Sequence, residues 1–157
     1  MAEGQYIYRS ERARNLLVEH LRLFRLLFDA VRKIAGLVQR VGGYIAMEWP
    51  RQCSYWLEPD VQQFVWEHGL QSVHLDGCMF GLVAQHGSRS GVPIKKPWRI
   101  DTNSPALLQH VARTCDGSHE HTPCAGSDTK LTEGYTDELV AHVHEAFAVQ
   151  CRLRQQN

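Results

Sequence analysis

Gly42-Gly43-Tyr44-Ile45-Ala46-Met47-Glu48-Trp49-Pro50 is the stretch on which the fold reading turns. Two glycines stop a long helical pattern, because glycine takes the left-handed backbone that closes a helix without a Cβ clash. The apolar run Tyr44 to Met47 is too short for a helix and reads as a buried strand. Glu48-Trp49-Pro50 then sits at its carboxyl end.

Upstream, Ser10 caps a helix predicted to run to about Arg40. Leu16, Leu17, Leu21, Phe24, Leu27, Phe28, Val31, Ile34, Ala35 and Val38 recur at helical spacing, the stripe of an amphipathic helix. Downstream, Pro59 opens a second helix to Glu67, and Gly69 stops it. Ser72 to Leu75 is predicted as a second strand ending at Asp76-Gly77, and Pro97 to Ile100 as a third. Ser104-Pro105 starts a short helix, and the last helix covers 136–152.

Strands interleaved with helices predict a three-layer α/β fold with an at least partly parallel sheet. The expected plan is one domain over 1–157: a long amphipathic helix (9–40), a sheet core (44–103), a Cys/His loop (115–133) and a terminal helix.

The totals narrow the class. With 157 residues, 43% of them apolar, the chain can bury a core. Zero formal net charge gives no whole-molecule field toward nucleic acid or membrane, although Arg9 to Arg40 holds eight basic residues against three acids. No apolar run reaches the roughly 18 residues a bilayer demands, so no membrane association is expected. Five cysteines, an odd number, and a start lacking a basic-then-apolar pattern predict reduced thiols in an intracellular compartment, cytoplasmic or nuclear.

The densest chemistry lies in Cys115-Asp116-Gly117-Ser118-His119-Glu120-His121-Thr122-Pro123-Cys124. Thiolate and imidazole donors together suit Zn²⁺, which takes four tetrahedrally. Cys115, His119, His121 and Cys124 are therefore the predicted ligands of a structural zinc. Glu48, Asp76 and the Arg99–Asp101 pair fall at strand ends, where open α/β sheets bind ligands. Carboxylates there suit acid–base chemistry or a metal. Lys95-Lys96-Pro97-Trp98-Arg99 interleaves cations with an indole, a pattern that holds phosphates and stacks a base. No Gly-x-Ser-x-Gly elbow, phosphate-binding loop or dinucleotide fingerprint is present.

From the long helix to Thr102 the chain resembles the second part of a cytosine-C5 DNA methyltransferase catalytic domain, of a divergent mobile-element type. The likeness rests on the helix leading into Met47-Glu48-Trp49-Pro50, on Gly69-Leu70, Val73 to Leu75, Phe80-Gly81, and on Lys95 to Ile100. It implies that Glu48 holds a target base and that Arg99, with Lys95 or Lys96, matches the family's basic segment. The family's cofactor loop is missing, as is the Pro-Cys nucleophile segment that should precede Glu48; Pro123-Cys124 has that dipeptide in the wrong order, inside the Cys/His loop.

The expected function is thus a nucleic-acid-associated domain, binding DNA or RNA, with a structural zinc loop. One alternative is a small metal-dependent hydrolase or nuclease using Glu48, Asp76 and histidines around an open metal position. The other is a non-enzymatic interaction protein that pairs with a partner or a second copy through Leu21, Phe24 and Phe28 of the long helix. Whether the chain is an enzyme stays open at this point.

Overall fold

The computed structural model describes residues 11–125, 129–130 and 132–155. The chain forms two compact units, residues 1–43 and 44–157.

The first unit is built on helix α1, Glu11–Arg40. It holds no proline, and its apolar residues repeat every three or four positions. Its end follows from two glycines. Gly42 sits at φ 71°, and Gly43 N donates to Val38 O at 2.8 Å, which ties off the last turn. A Cβ on Gly43 would lie 2.6 Å from the Val38 side chain, so the residue must stay small.

The second unit carries strand β1 (Ala46–Pro50), helix α2 (Pro59–Glu67), strand β2 (Gln71–Asp76), strand β3 (Pro97–Thr102), helix α3 (Pro105–His110) and helix α4 (Asp137–Gln155). Short 3-10 turns lie at Ser54–Leu57, Gly77–Phe80 and Gly87–Arg89.

The sheet corrects the expectation of a partly parallel arrangement. Its three strands run in the order β1-β3-β2, and β3 pairs antiparallel with both neighbours. β1 and β2 do point the same way, as a strand–helix–strand unit requires, but β3 is inserted between them. The reason lies in the connections. Between β2 and β3 the chain has only two 3-10 turns and a Val83–Pro93 bridge, with no crossover helix to carry it back to the starting end. A parallel placement needs such a crossover, whereas an antiparallel return does not.

Register assigns each strand residue to a face. Trp98 and Ile100 of β3 share a face with Leu75 and Val73 of β2 and with Glu48 of β1. This face builds the core: Val73, Leu75, Trp98 and Ile100 pack with Ala106 and Leu107 of α3 and Leu139 and Ala146 of α4. Arg99 and Asp101 share the opposite face with Trp49 and His74. There the Arg99 guanidinium lies 4.1 Å from the centre of the Trp56 ring, and Trp56 meets Trp49 edge-on.

Polar groups lock α3 to α4. Ser104 Oγ accepts from Leu107 N at 3.3 Å, capping α3, and donates to Gln150 Oε1 at 3.0 Å. Gln150 also accepts from Ala106 N and donates to Tyr44 Oη. Among the described residues no helix is long and apolar enough to cross a membrane.

Candidate metal centre

The site begins where β2 ends, at Asp76-Gly77-Cys78. Gly77 turns the chain into a 3-10 turn against Leu82, whose side chain would lie 2.6 Å from an added Cβ. Cys78 is thereby presented beside the strand end. The segment after α3 returns to the same place. Asp76 N donates to Arg113 O at 3.0 Å, and Asp76 Oδ2 accepts from Cys115 N at 2.8 Å. Asp76 is almost fully buried, and its other oxygen accepts from Arg51 Nη2 at 3.0 Å.

Beyond Cys115 the chain reverses tightly. Ser118 N donates to Asp116 Oδ1 at 2.9 Å, and Gly117 takes φ 83°. The bonds from Ser118 hold the Asp116 carboxyl below its ordinary range. The far end is pinned by Thr122 N, which donates to Pro93 O at 2.9 Å. The reversal brings His119 and His121 back onto Cys115.

Donor atoms of Cys78, Cys115, His119 and His121 lie within 4.8 Å of one another, close enough to hold a metal ion. Cys115 Sγ is 3.7 Å from His119 Nε2 and 3.5 Å from His121 Nε2. His121 Nε2 is also 3.4 Å from Cys78 Sγ. His121 Nε2 thus lies within reach of both sulfurs at once, so the two thiols and two imidazoles converge on a common centre. Gly117 N donates to Cys115 Sγ at 3.3 Å. With no cation among them, burial foremost, and then the bond and proximity to Cys115, pushes the Cys78 thiol up to about 11. A cation at the centre reverses that balance.

Three of the four residues expected from the sequence meet here: Cys115, His119 and His121. Cys124 is not in the cluster. It is exposed, and its sulfur lies 3.1 Å from Thr132 Oγ1. Cys78 stands in its place, 37 residues before Cys115, and no local spacing points to it. The one hint in the sequence is a cysteine directly after a strand-ending Asp-Gly.

The remaining expected residues are dispersed. Glu48 and Asp76 lie on opposite faces of the sheet, so they share no crevice. Arg99 is on the face opposite Glu48, gripping Asp101 through two bonds of 2.7 and 2.6 Å. Trp98 is a core residue. Lys96 donates to Thr132 O and sits over the Trp98 ring, while Lys95 is exposed. The cation–aromatic run therefore does not present one surface.

What the fold and site define is a mixed α/β chain with a Cys/His donor cluster at a strand end. No family model matches the chain, and neither the curated proteins nor the solved structures contain a significant match to it.

Proposed function

We propose that Cys78, Cys115, His119 and His121 hold a structural Zn²⁺, and that the chain is a zinc-fastened α/β domain that works by binding rather than catalysis. The observation that carries this reading is the sulfur–nitrogen spacing. Tetrahedral zinc, with Zn–S about 2.3 Å and Zn–N about 2.05 Å, separates S from N by about 3.6 Å. The three separations here are 3.7, 3.5 and 3.4 Å. Two thiolates and two imidazoles complete the shell and leave no position for a reacting water, which marks a structural centre. Asp76 and Gly117 add the outer contacts that orient such ligands. Bound there, the ion fastens the Cys115–His121 loop to the end of β2.

Cobalt substitution tests the reading. A two-thiolate, two-imidazole site gives intense visible absorption and a thiolate-to-cobalt charge-transfer band. Weak octahedral bands, or no charge transfer, contradict it.

A nucleic-acid partner is the second reading. It rests on α1, where seven Arg and Lys face three acids between Glu11 and Arg40. Binding to labelled DNA or RNA should fall steeply with salt and weaken in Arg25→Glu/Arg32→Glu. Salt-insensitive binding, or none, removes it.

A further inference from the structure

A second pocket is present in the unit that holds the metal centre. It is a cavity of about 310 Å³ lined by Ala46, Ile100, Leu107, Leu139, Val140 and Val143, with Glu48, Tyr135 and His144 as its polar members. Its walls are otherwise apolar. Its volume lies at the small end of the range for small-molecule sites, about 300–1,000 Å³.

The carboxylate of Glu48 sets the chemistry. β1 places it on the core face of the sheet, opposite Ile100. One oxygen, Oε2, accepts from the Tyr135 hydroxyl. The other, Oε1, is buried and has no hydrogen-bond partner among the described residues. A buried carboxylate oxygen without a donor is unfavourable, because it has lost water and gained nothing in exchange. No Lys or Arg is among the residues lining the cavity. The missing donor is one that a ligand can bring.

Tyr135 is held ready for this. Its ring packs edge-on against Trp98 at 6.0 Å between centres. Burial, and then the bond to Glu48, raises its hydroxyl well above the ordinary phenol range, so it stays a donor. Tyr135, Val140, Val143 and His144 are lining residues that are also exposed to solvent.

We propose that this cavity binds a small organic ammonium, a protonated amine on an apolar body. The ammonium would donate to Glu48 Oε1 while the body fills the space between Ile100, Leu107, Leu139 and Val143. A carboxylate wall rejects anions of the same shape, and one carboxylate with no second acid in the lining does not make a metal site. Tyr135 adds an aromatic ring near the cation.

The test uses the whole metal-loaded chain and two probes of matched shape, benzylammonium and benzyl alcohol, followed by amide NMR shifts. Benzylammonium should bind saturably, with shifts centred on Ala46, Leu107 and Leu139 to His144. Glu48→Gln should weaken it about tenfold or more, the loss expected for a charge-assisted hydrogen bond. Val143→Trp, on the exposed side of α4, should block the cavity without disturbing the core. Benzyl alcohol should bind the wild type no better than benzylammonium binds Glu48→Gln. Equal affinity for the two probes, indifference to Glu48→Gln in a variant with an unchanged spectrum, or no binding of benzylammonium would each overturn the proposal.

Discussion

Replacing Asp76 with alanine should damage both the fold and the metal centre. The residue is 1% exposed and its side chain makes two bonds at once. Oδ2 accepts from Cys115 N at 2.8 Å, and Oδ1 accepts from Arg51 Nη2 at 3.0 Å. Truncation strands a part-buried amide, at a cost of about 1–3 kcal/mol. It also leaves the Arg51 charge unpaired. Breaking a buried pair costs about 3–5 kcal/mol, but Arg51 is 30% exposed, so water recovers much of this and about 1–2 kcal/mol is the fair share. The total is about 3 kcal/mol, which for a chain of this size lowers Tm by about 6–12 °C. Asp76→Asn keeps an acceptor for Cys115 but drops the charge, and should lose about half as much. Because Cys115 is a metal ligand in this account, Asp76→Ala should also weaken zinc about 10–100-fold in a chelator competition. Thermal melts and zinc competition on both variants decide the matter. Equal melting of wild type and Asp76→Ala, or a zinc affinity unchanged in that variant, refutes the reasoning.

Three further outcomes are expected. Asp101→Ala removes a fully buried carboxylate from under Arg99 and should cost about 3 kcal/mol in urea melts, with Arg99→Leu recovering part of that loss in the double variant; strict additivity would contradict this. Gln150→Ala cuts the link between α4, Ser104 and Tyr44 and should lower stability by about 2 kcal/mol, while Ser104→Ala alone should cost about 1 kcal/mol; equal melts for both variants would be the contrary finding. Zinc affinity should fall as pH drops, since the cation must displace protons from Cys115 and from a Cys78 thiol that burial pushes up. About two protons should be released per zinc in titrations run in buffers of different ionisation heat, and none would argue against thiolate ligation.

Much of this molecule is legible from local signals. Proline at the first turn and a preceding cap mark α2 and α3, and the Gly42–Gly43 stop marks the end of α1, because these residues act on the backbone beside them. The sheet orientation differs from the expectation: strands interleaved with helices point to a partly parallel sheet, yet β3 pairs antiparallel with both neighbours. Two strands, β2 and β3, follow each other without a helix, and that alone disfavours a parallel pair. The faces of the strands were not legible. Trp98 and Arg99 are neighbours in sequence, yet pleating sends one into the core and the other onto Trp56 on the far face. The metal ligands divide the same way. Cys115, His119 and His121 are close in sequence and were read together. Cys78 joins them only because Asp76 bonds the end of β2 to residues 113 and 115, a contact between distant segments that spacing does not encode.

The central claim is the identity of the fourth ligand. Zinc per chain, measured by elemental analysis on wild type, Cys78→Ser and Cys124→Ser purified alike, tests it most directly. The account predicts about one zinc in the wild type and in Cys124→Ser, and a marked loss in Cys78→Ser, because Cys78 lies with the cluster and Cys124 lies against Thr132. Zinc retained in Cys78→Ser and lost in Cys124→Ser would contradict it, as would a wild type with no zinc.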